Sequence, residues 1–315
     1  MSPSMRAAVI VVNYGSSDLL QRNLAPLSVD AGELTVVVVD NRTTDQERKQ
    51  VRELAAKHGW LLVEPPANLG FGGAMNRGVR VAHEHGADVT VLLNPDAWID
   101  AADLRGLAAA ALDAPLALVA PRIDRPDGSP WFSGADLNLR DGRIRWSQGR
   151  IPDAATEPWL TGACLAVSRS LWERVGGFDE RYFLYWEDVD LSWRVRRAGG
   201  RLVLRDDLHA VHDQGGTQRS MTAGRDTAPK SSVYYYYNIR NRLLFAASHL
   251  PPKQVRRWRR TAVIVGWEVL MQGGRRQLLA SPAPLVAMVR GLLDGRRLSA
   301  SAAKRRAVRA RTQRD

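Results

Sequence analysis

Cysteine is almost absent: Cys164 is the only one among 315 residues. That excludes an intramolecular disulfide and a thiolate-only zinc cluster, and a reducing compartment fits. No run of about 18 apolar residues occurs, so no conventional transmembrane helix is expected. The longest candidate, 261–271, is short and contains Glu268. Residues 1–6 lack the basic stretch and apolar core of a secretory signal. A complete dinucleotide fingerprint is missing too. Gly70-x-Gly72 is followed by Met75 where a third glycine belongs, and it follows the third expected strand rather than the first. This argues against a nicotinamide-dependent oxidoreductase.

What is present is a globular composition, 45% hydrophobic and 25% charged. The length suits one large α/β domain with added elements, or two modest domains. The net charge of +12 is unevenly placed. Residues 250–315 hold 16 Lys/Arg and 3 Asp/Glu, a net +13, which leaves −1 for the body. A basic tail attracts an anionic partner such as a membrane surface or nucleic acid, or else is simply solvated. The tail carries no nucleic-acid recognition module. It mixes Arg256, Arg257, Arg259 and Arg260 with Trp258, Val263, Val265, Trp267 and Leu270, and spaces Leu285, Met288, Val289 and Leu292 helically. That pattern suits an interfacial helix on anionic lipid. The same faces would also pack on the body or form a homodimer seam.

The first half alternates strand and helix signals. Apolar, β-branched runs at 7–12, 34–39, 60–63, 89–93 and 116–120 predict strands. Helical spacing predicts helices over 17–27, 44–58, 71–85 and 100–112, with Thr44 and Glu47 as a capping box and Asp100 as a cap. Such alternation predicts a mostly parallel sheet. Residues 124–158 are rich in Pro, Gly and Asp and read as loops with a hairpin over an open cleft. A strand at 162–167, helices at 170–175 and from 187 to Gly199, and a strand at 201–204 follow. Residues 213–232 read as a mobile loop, and 234–250 as a helix.

Several motifs carry chemistry. Asp40 ends the second strand, where open α/β sheets bind ligands, and its carboxylate suits a base N–H or a ribose hydroxyl; capping the next turn is the plainer alternative. The glycine-rich stretch 68–78 opens a helix, which suits either phosphate binding or close backbone packing. Asp96, in Asn94-Pro95-Asp96 after a strand, can hold a divalent metal or merely form a turn. Glu187, Asp188 and Asp190 begin a helix after the aromatic run Tyr182–Trp186. Acids there are dipole partners or, beside aromatic faces that pack on sugar rings, a base for a hydroxyl proton. His212 precedes a glycine-containing stretch, which suits a metal or phosphate role; a structural or exposed histidine is the plainer alternative. Cys164 reads as a core thiol.

In this order the segments resemble glycosyltransferase family 2, the inverting GT-A enzymes, and its branch of bacterial rhamnosyltransferases and galactofuranosyltransferases. The matching stretches are Val11-Val12-Asn13-Tyr14, Val38-Val39-Asp40-Asn41, Asn68-Leu69-Gly70-Phe71-Gly72 with Asn76-Arg77-Gly78, and Leu93-Asn94-Pro95-Asp96. They continue with Thr161-Gly162-Ala163, Gly176-Gly177-Phe178-Asp179-Glu180 and Tyr185-Trp186-Glu187-Asp188-Val189-Asp190-Leu191. The resemblance implies an α/β GT-A (Rossmann-like) domain over 6–250; the composition adds a basic amphipathic helical extension over 251–315 with a disordered end. It implies a nucleoside-diphosphate sugar donor bound by Asn13, Asp40, Asn68, Asn76 and Arg77. It further implies Mg²⁺ or Mn²⁺ on Asp96 and His212, and Asp188 as catalytic base. Trp186 and Glu187 beside that base are expected to face the acceptor, a cell-envelope glycan or a polyprenyl-linked sugar. Asn94 stands where the family's metal element has its first Asp. A cytoplasmic protein at the inner face of the cell membrane is expected. The alternative is a non-catalytic sugar- or nucleic-acid-binding protein of transferase-like fold.

Overall fold

The computed structural model describes residues 6–30, 34–146, 155–213 and 230–312. Most of the loop expected at 213–232 lies outside them. The chain opens with β1 (Ala7–Asn13), a run of aliphatic residues ending in Asn and buried throughout. β2 (Thr35–Asp40), β3 (Leu61–Val63) and β4 (Val89–Leu93) follow the same apolar logic. Strands covered on both faces need such runs. The helix expected over 17–27 divides into α1 (Ser17–Leu19), a π-turn (Leu20–Leu24) and α2 (Ala25–Asp30). Pro26 has no N–H to close on Arg22, and the wider π-turn absorbs that loss.

α3 (Asp45–His58), α4 (Gly70–Glu84) and α5 (Ala101–Asp113) cover the sheet. Thr44 and Asp100 cap α3 and α5 through their side-chain oxygens, as expected. β5 (Ala97–Ile99), β6 (Ala117–Asp124) and β7 (Pro130–Phe132) join the main sheet. β8 (Ala135–Asn138), β9 (Ile144–Trp146) and β10 (Thr156–Trp159) form a small second sheet where loops and a hairpin were expected. β11 (Cys164–Ser168), α6 (Arg169–Val175), α7 (Glu187–Arg197) and β12 (Arg201–His212) complete the body.

Among the described residues the main sheet runs β3-β2-β1-β4-β11-β6-β12-β5, with β7 beside β6. From β3 to β4 the pairing is parallel, as expected. Beyond β4 it is mixed, because β11 runs antiparallel to both β4 and β6. The reason is topological. The chain leaves β6 at the carboxyl edge, pairs β7 back against it and builds the small sheet. β11 then re-enters from that edge, which leaves Gly162 and Ala163 beside the carboxyl end of β4. β12 is longer than its expected 201–204. A bulge between Arg205 and His209 interrupts its register on β6, and the polar residues there hide the second half of the strand.

Five helices close the chain: α8 (Ser232–His249), α9 (Pro252–Arg260), α10 (Ala262–Met271), α11 (Gln277–Ala280) and α12 (Ala283–Thr312). Residues expected to trail off in disorder continue α12 as far as Thr312, in a stretch of good helix formers such as Ala and Arg. A second apolar cluster draws on both sides of Leu250. Tyr182, Trp186 and Trp193 meet Leu243, Phe245, Trp258, Leu270, Met288 and Leu292 there. Trp258 is fully buried, and its indole N–H donates to the Leu139 carbonyl at 2.9 Å. Trp258 and Leu292, expected at a membrane interface, are therefore core residues. Trp267 and Leu285 do face solvent.

Trp258→Ala is expected to cost about 3–5 kcal/mol of stability, the scale of a buried aromatic truncated to alanine. Trp267→Ala is expected to change it by less than about 0.5 kcal/mol. Urea unfolding of the two full-length variants checks both.

Candidate active site

Asn13 and Asp40 stand side by side where β1 and β2 end, paired in register and both buried. The Asn13 Nδ2 donates to Asp40 Oδ1 at 3.3 Å, and Arg48 Nε donates to Asp40 Oδ2 at 2.8 Å. Both carboxylate oxygens are thus oriented by the fold. Glu47 does not close the expected capping box. Its Oε1 instead accepts from the Ser17 N–H at 2.5 Å and from Asn13 Nδ2 at 3.3 Å, tying the start of α1 to the same pocket.

The glycine-rich stretch resolves in favour of close packing. Gly70 has φ +73°, and a Cβ there would lie 2.2 Å from the Phe183 carbonyl oxygen. That oxygen accepts from the Phe71 N–H at 2.7 Å. The Leu69 N–H donates to Asn41 Oδ1 and the Gly70 N–H to Asn68 Oδ1, each at 2.8 Å. Three of the four orphan donors of α4 are therefore engaged within the protein rather than held open for a phosphate. Asn68 is a brace in this arrangement. Asn76 is another: its Nδ2 donates to the Phe178 carbonyl and Glu180 Oε1, and its Oδ1 accepts from the Phe178 N–H. Arg77 faces solvent from the same helix.

The acidic turn is backbone-strained. Phe183, Tyr185 and Trp186 have φ of +63°, +64° and +75°, and none is glycine. Such residues persist only where surroundings over-determine them, and they cluster at functional sites. Asn241, fully buried on α8, supplies the restraint. Its Nδ2 lies 2.8 Å from the carbonyls of Tyr182, Leu184 and Tyr185. Trp186, expected to face the acceptor, is buried. Its ring packs against Phe245 and Trp258, at 5.8 and 6.3 Å between centroids, and anchors the turn.

Glu187 and Asp188 differ sharply in their partners. Glu187 is buried, and its Oε2 has no hydrogen-bond partner among the described residues. Burial, then the neighbouring Asp188 charge, raises its pKa well above the ordinary carboxylate range. Asp188 is partly buried; its Oδ2 accepts from the Gly162 N–H at 3.0 Å and its Oδ1 from the Val189 N–H at 2.8 Å. Burial pushes it up to about 6, while these N–H donors pull the other way. A value near 6 leaves Asp188 ionised at neutral pH, beside a Glu187 whose hold on its own proton is strengthened. This places a carboxylate near the operating range of a general base.

Gly162 and Ala163 link this turn to the next. The Asn94 N–H donates to the Ala163 carbonyl at 2.9 Å. In the turn that follows, Asp96 Oδ1 lies 3.1 Å from His212 Nε2, and both residues are buried. His212 Nδ1 and Asn94 Oδ1 have no hydrogen-bond partner among the described residues. The imidazole stacks on Trp131 at 4.3 Å. Asn23, from the π-turn, donates to the Pro95 carbonyl at 2.8 Å. Among the described residues no three His, Cys, Asp or Glu side chains gather as a metal cluster. The donor set at this turn is one carboxylate, one imidazole and one amide oxygen without a partner. In the chemistry of its donors that set fits a single divalent cation.

Sequence reasoning assigned no role to Asn241 or Trp131. Asn241 had one signal, an amide in the middle of an otherwise apolar helix face. Trp131 had none, because its contact with His212 spans distant parts of the chain. Cys164 is the expected core thiol, its pKa pushed up to about 12 by burial.

Carboxylates at the carboxyl edge of a mixed sheet, one of them at a helix start and near neutral pKa, define a group-transfer enzyme of the GT-A kind. The chain matches Glycosyl transferase family 2 over residues 8–176 and belongs to that family. It is a glycosyltransferase that uses a nucleotide sugar. The N-acetylglucosaminyl-diphospho-decaprenol L-rhamnosyltransferase of Mycobacterium tuberculosis is 31% identical to it, over 72% of this chain and 80% of that protein. The low-salt glycan biosynthesis hexosyltransferase Agl10 of Haloferax volcanii is 26% identical, over 84% and 83%. The mannosyltransferase PcManGT of Pyrobaculum calidifontis, solved with GDP-Man and Mn²⁺, shares the fold with a TM-score of 0.53 at 20% identity. That match covers 95% of this chain and 86% of the other.

A carboxyl resonance titrating near pH 6 is expected in ¹³C NMR, and Asp188→Asn is expected to remove it. Asn241→Leu leaves three carbonyls without their donor and is expected to cost about 2–4 kcal/mol, read by urea unfolding.

Proposed function

We propose that this enzyme transfers a rhamnose- or galactofuranose-like sugar, with inversion, from a nucleoside-diphosphate donor. The acceptor is a hydroxyl of a cell-envelope glycan or of a polyprenyl-linked sugar. The observation that carries the reading is Asp188, ionised near neutral pH and fixed by Gly162 beside the Asn94–Asp96 turn. The activities for which the rhamnosyltransferase and hexosyltransferase relatives are named support the sugar class, and the first supports a lipid-linked acceptor.

The roles follow from chemistry. Asn13 and Asp40 receive the nucleoside through their oriented amide and carboxylate. Asn68 and Asn76 brace the donor pocket, and Arg77 is its solvent-facing cation. Asp188 accepts the proton of the acceptor hydroxyl as that oxygen bonds to the anomeric carbon. The bond from that carbon to the diphosphate oxygen breaks, and the diphosphate leaves with the electron pair. Attack opposite the leaving group inverts the anomeric centre, and no glycosyl-enzyme forms. Glu187, its pKa raised by burial, stands beside the base within reach of the acceptor site. Asp96 and His212 would hold Mg²⁺ or Mn²⁺, with the imidazole favouring Mn²⁺. When bound, the cation neutralises charge on the departing diphosphate.

The catalytic domain is read as 6–250, with 251–315 as a basic helical extension of which α9, α10 and α12 pack on α8. Its charge suits attachment to the inner face of the cytoplasmic membrane, where a lipid-linked acceptor would reside. A homodimer is the competing use of the same helices.

A panel of nucleoside-diphosphate sugars, followed by hydrolysis and NMR of the anomeric product, tests the reading. Slow hydrolysis of one deoxyhexose or galactofuranose donor with inversion is expected; retention or no turnover on any donor contradicts it. Asp188→Asn is expected to lower turnover about 10²-fold or more with donor binding nearly unchanged. In the active enzyme, kcat/KM is expected to fall as pH drops through about 6, and Glu187→Gln is expected to leave that limb in place. Asp96→Ala is expected to weaken nucleoside-diphosphate binding in Mn²⁺ about tenfold or more by calorimetry. Equal wild-type affinity with and without EDTA would remove the metal role.

A further inference from the structure

Of the thirteen large hydrophobic side chains exposed among the described residues, eight lie between Val263 and Leu293. Exposure is therefore concentrated in one stretch, which marks an interaction surface rather than ordinary scatter. Ile264 and Trp267 project from α10, and Leu279, 91% exposed, from α11. Val286, Val289 and Leu293 repeat at helical spacing along α12.

The helices that carry these residues pack on one another. α10 rests on α12 at Gly266, where a Cβ would lie 3.6 Å from both Met288 and Leu292 and 3.7 Å from Ile239 of α8. The inward sides of both helices are thereby closed, and the apolar residues above lie on the outward sides. Cations rim them. Arg260, Arg275, Arg276 and Arg290 are exposed in the same stretch. Its acids are already engaged: Glu268 pairs with Arg143 at 2.6 Å, and Asp294 with Arg297 at 3.2 Å.

We propose that the α10–α12 face docks on a lipid bilayer carrying anionic headgroups. Ile264, Trp267, Leu279 and Val289 enter the headgroup–acyl boundary, and the arginines meet the lipid phosphates. Charge selects this occupant. A second copy would set one +13 tail against another, while a bilayer supplies both the negative charge and the apolar layer. No helix among the described residues is long and apolar enough to cross a membrane, so the contact is interfacial. The proposal rests on the lipid-linked acceptor read above and adds the surface that meets the lipid. That surface is held firmly to the site. α12 presses on α8 at Gly291, where a Cβ would meet the Tyr236 carbonyl at 2.7 Å, and α8 carries Asn241.

Flotation of the full-length protein on phosphatidylcholine vesicles, with and without phosphatidylglycerol, tests the proposal. Binding is expected only with phosphatidylglycerol and is expected to weaken at high salt. Ile264→Glu and Val289→Glu, both at exposed positions, are each expected to weaken it about tenfold or more, the scale of one apolar side chain's transfer. Quenching by brominated lipid is expected in the wild type and reduced in Trp267→Phe, which still floats. A protein that stays unbound at low salt overturns the proposal, as does one whose glutamate variants float like the wild type. So does a dimer in light scattering that Val289→Glu dissociates. Transfer to a water-soluble acceptor analogue is expected to be unchanged in the glutamate variants. Loss of that transfer in the wild type would overturn the acceptor reading, whatever the vesicles show.

Discussion

One carbonyl oxygen holds the site together. The Phe183 oxygen sits where a Cβ of residue 70 would be, and it accepts the Phe71 N–H. Only glycine allows the first turn of α4 to approach so closely. The contact joins the acidic turn to the helix that packs behind β1 and β2. Asn241 fixes the same turn from the other side. The positive φ values of Phe183, Tyr185 and Trp186 are thus sustained by two elements far apart in sequence. Asp188 inherits its position from that double restraint.

The same burial that readies Asp188 works against the fold. A carboxyl raised to about 6 in the folded state, against an ordinary value of 3.8, favours folding most when protonated. Its contribution is fully present below the unfolded value and is lost as pH rises through about 6. Ionisation, and with it the capacity to accept a proton, appears over the same interval. Glu187, buried beside it, is shifted in the same direction by the same cause. Function and stability therefore pull in opposite directions within one turn of helix, and the second apolar cluster beneath Trp186 offsets the loss.

Much of this was legible in the sequence. The valine-rich runs of β1 and β2 announced buried parallel strands, and Thr44 and Asp100 announced their helices. The ordered motifs placed Asp40, Asp96, Asp188 and His212 on the carboxyl edge. What escaped was long-range. The second half of β12 was hidden by Arg205-Asp206-Asp207, whose polar side chains break the strand pattern at the bulge. The glycines of 70–78 left phosphate binding and packing equally open until Phe183 was seen against them. Trp186 read as an acceptor contact and Trp258 as a membrane contact, because nothing local reveals that they face each other across 72 residues. The direction of β11 depended on where the chain stood when it re-entered the sheet, which no local pattern records.

The bulge in β12 has a geometric consequence. Before it, Arg201 to Arg205 pair with β6 directly after α7; beyond it, His209 to Val211 return to β6 in a shifted register, and Ala210 to His212 also pair with β5. Among the described residues the bulge therefore turns a strand paired on one edge into one paired on both. His212 is set against Ala97 in this doubly paired half, the register that brings its imidazole to Asp96.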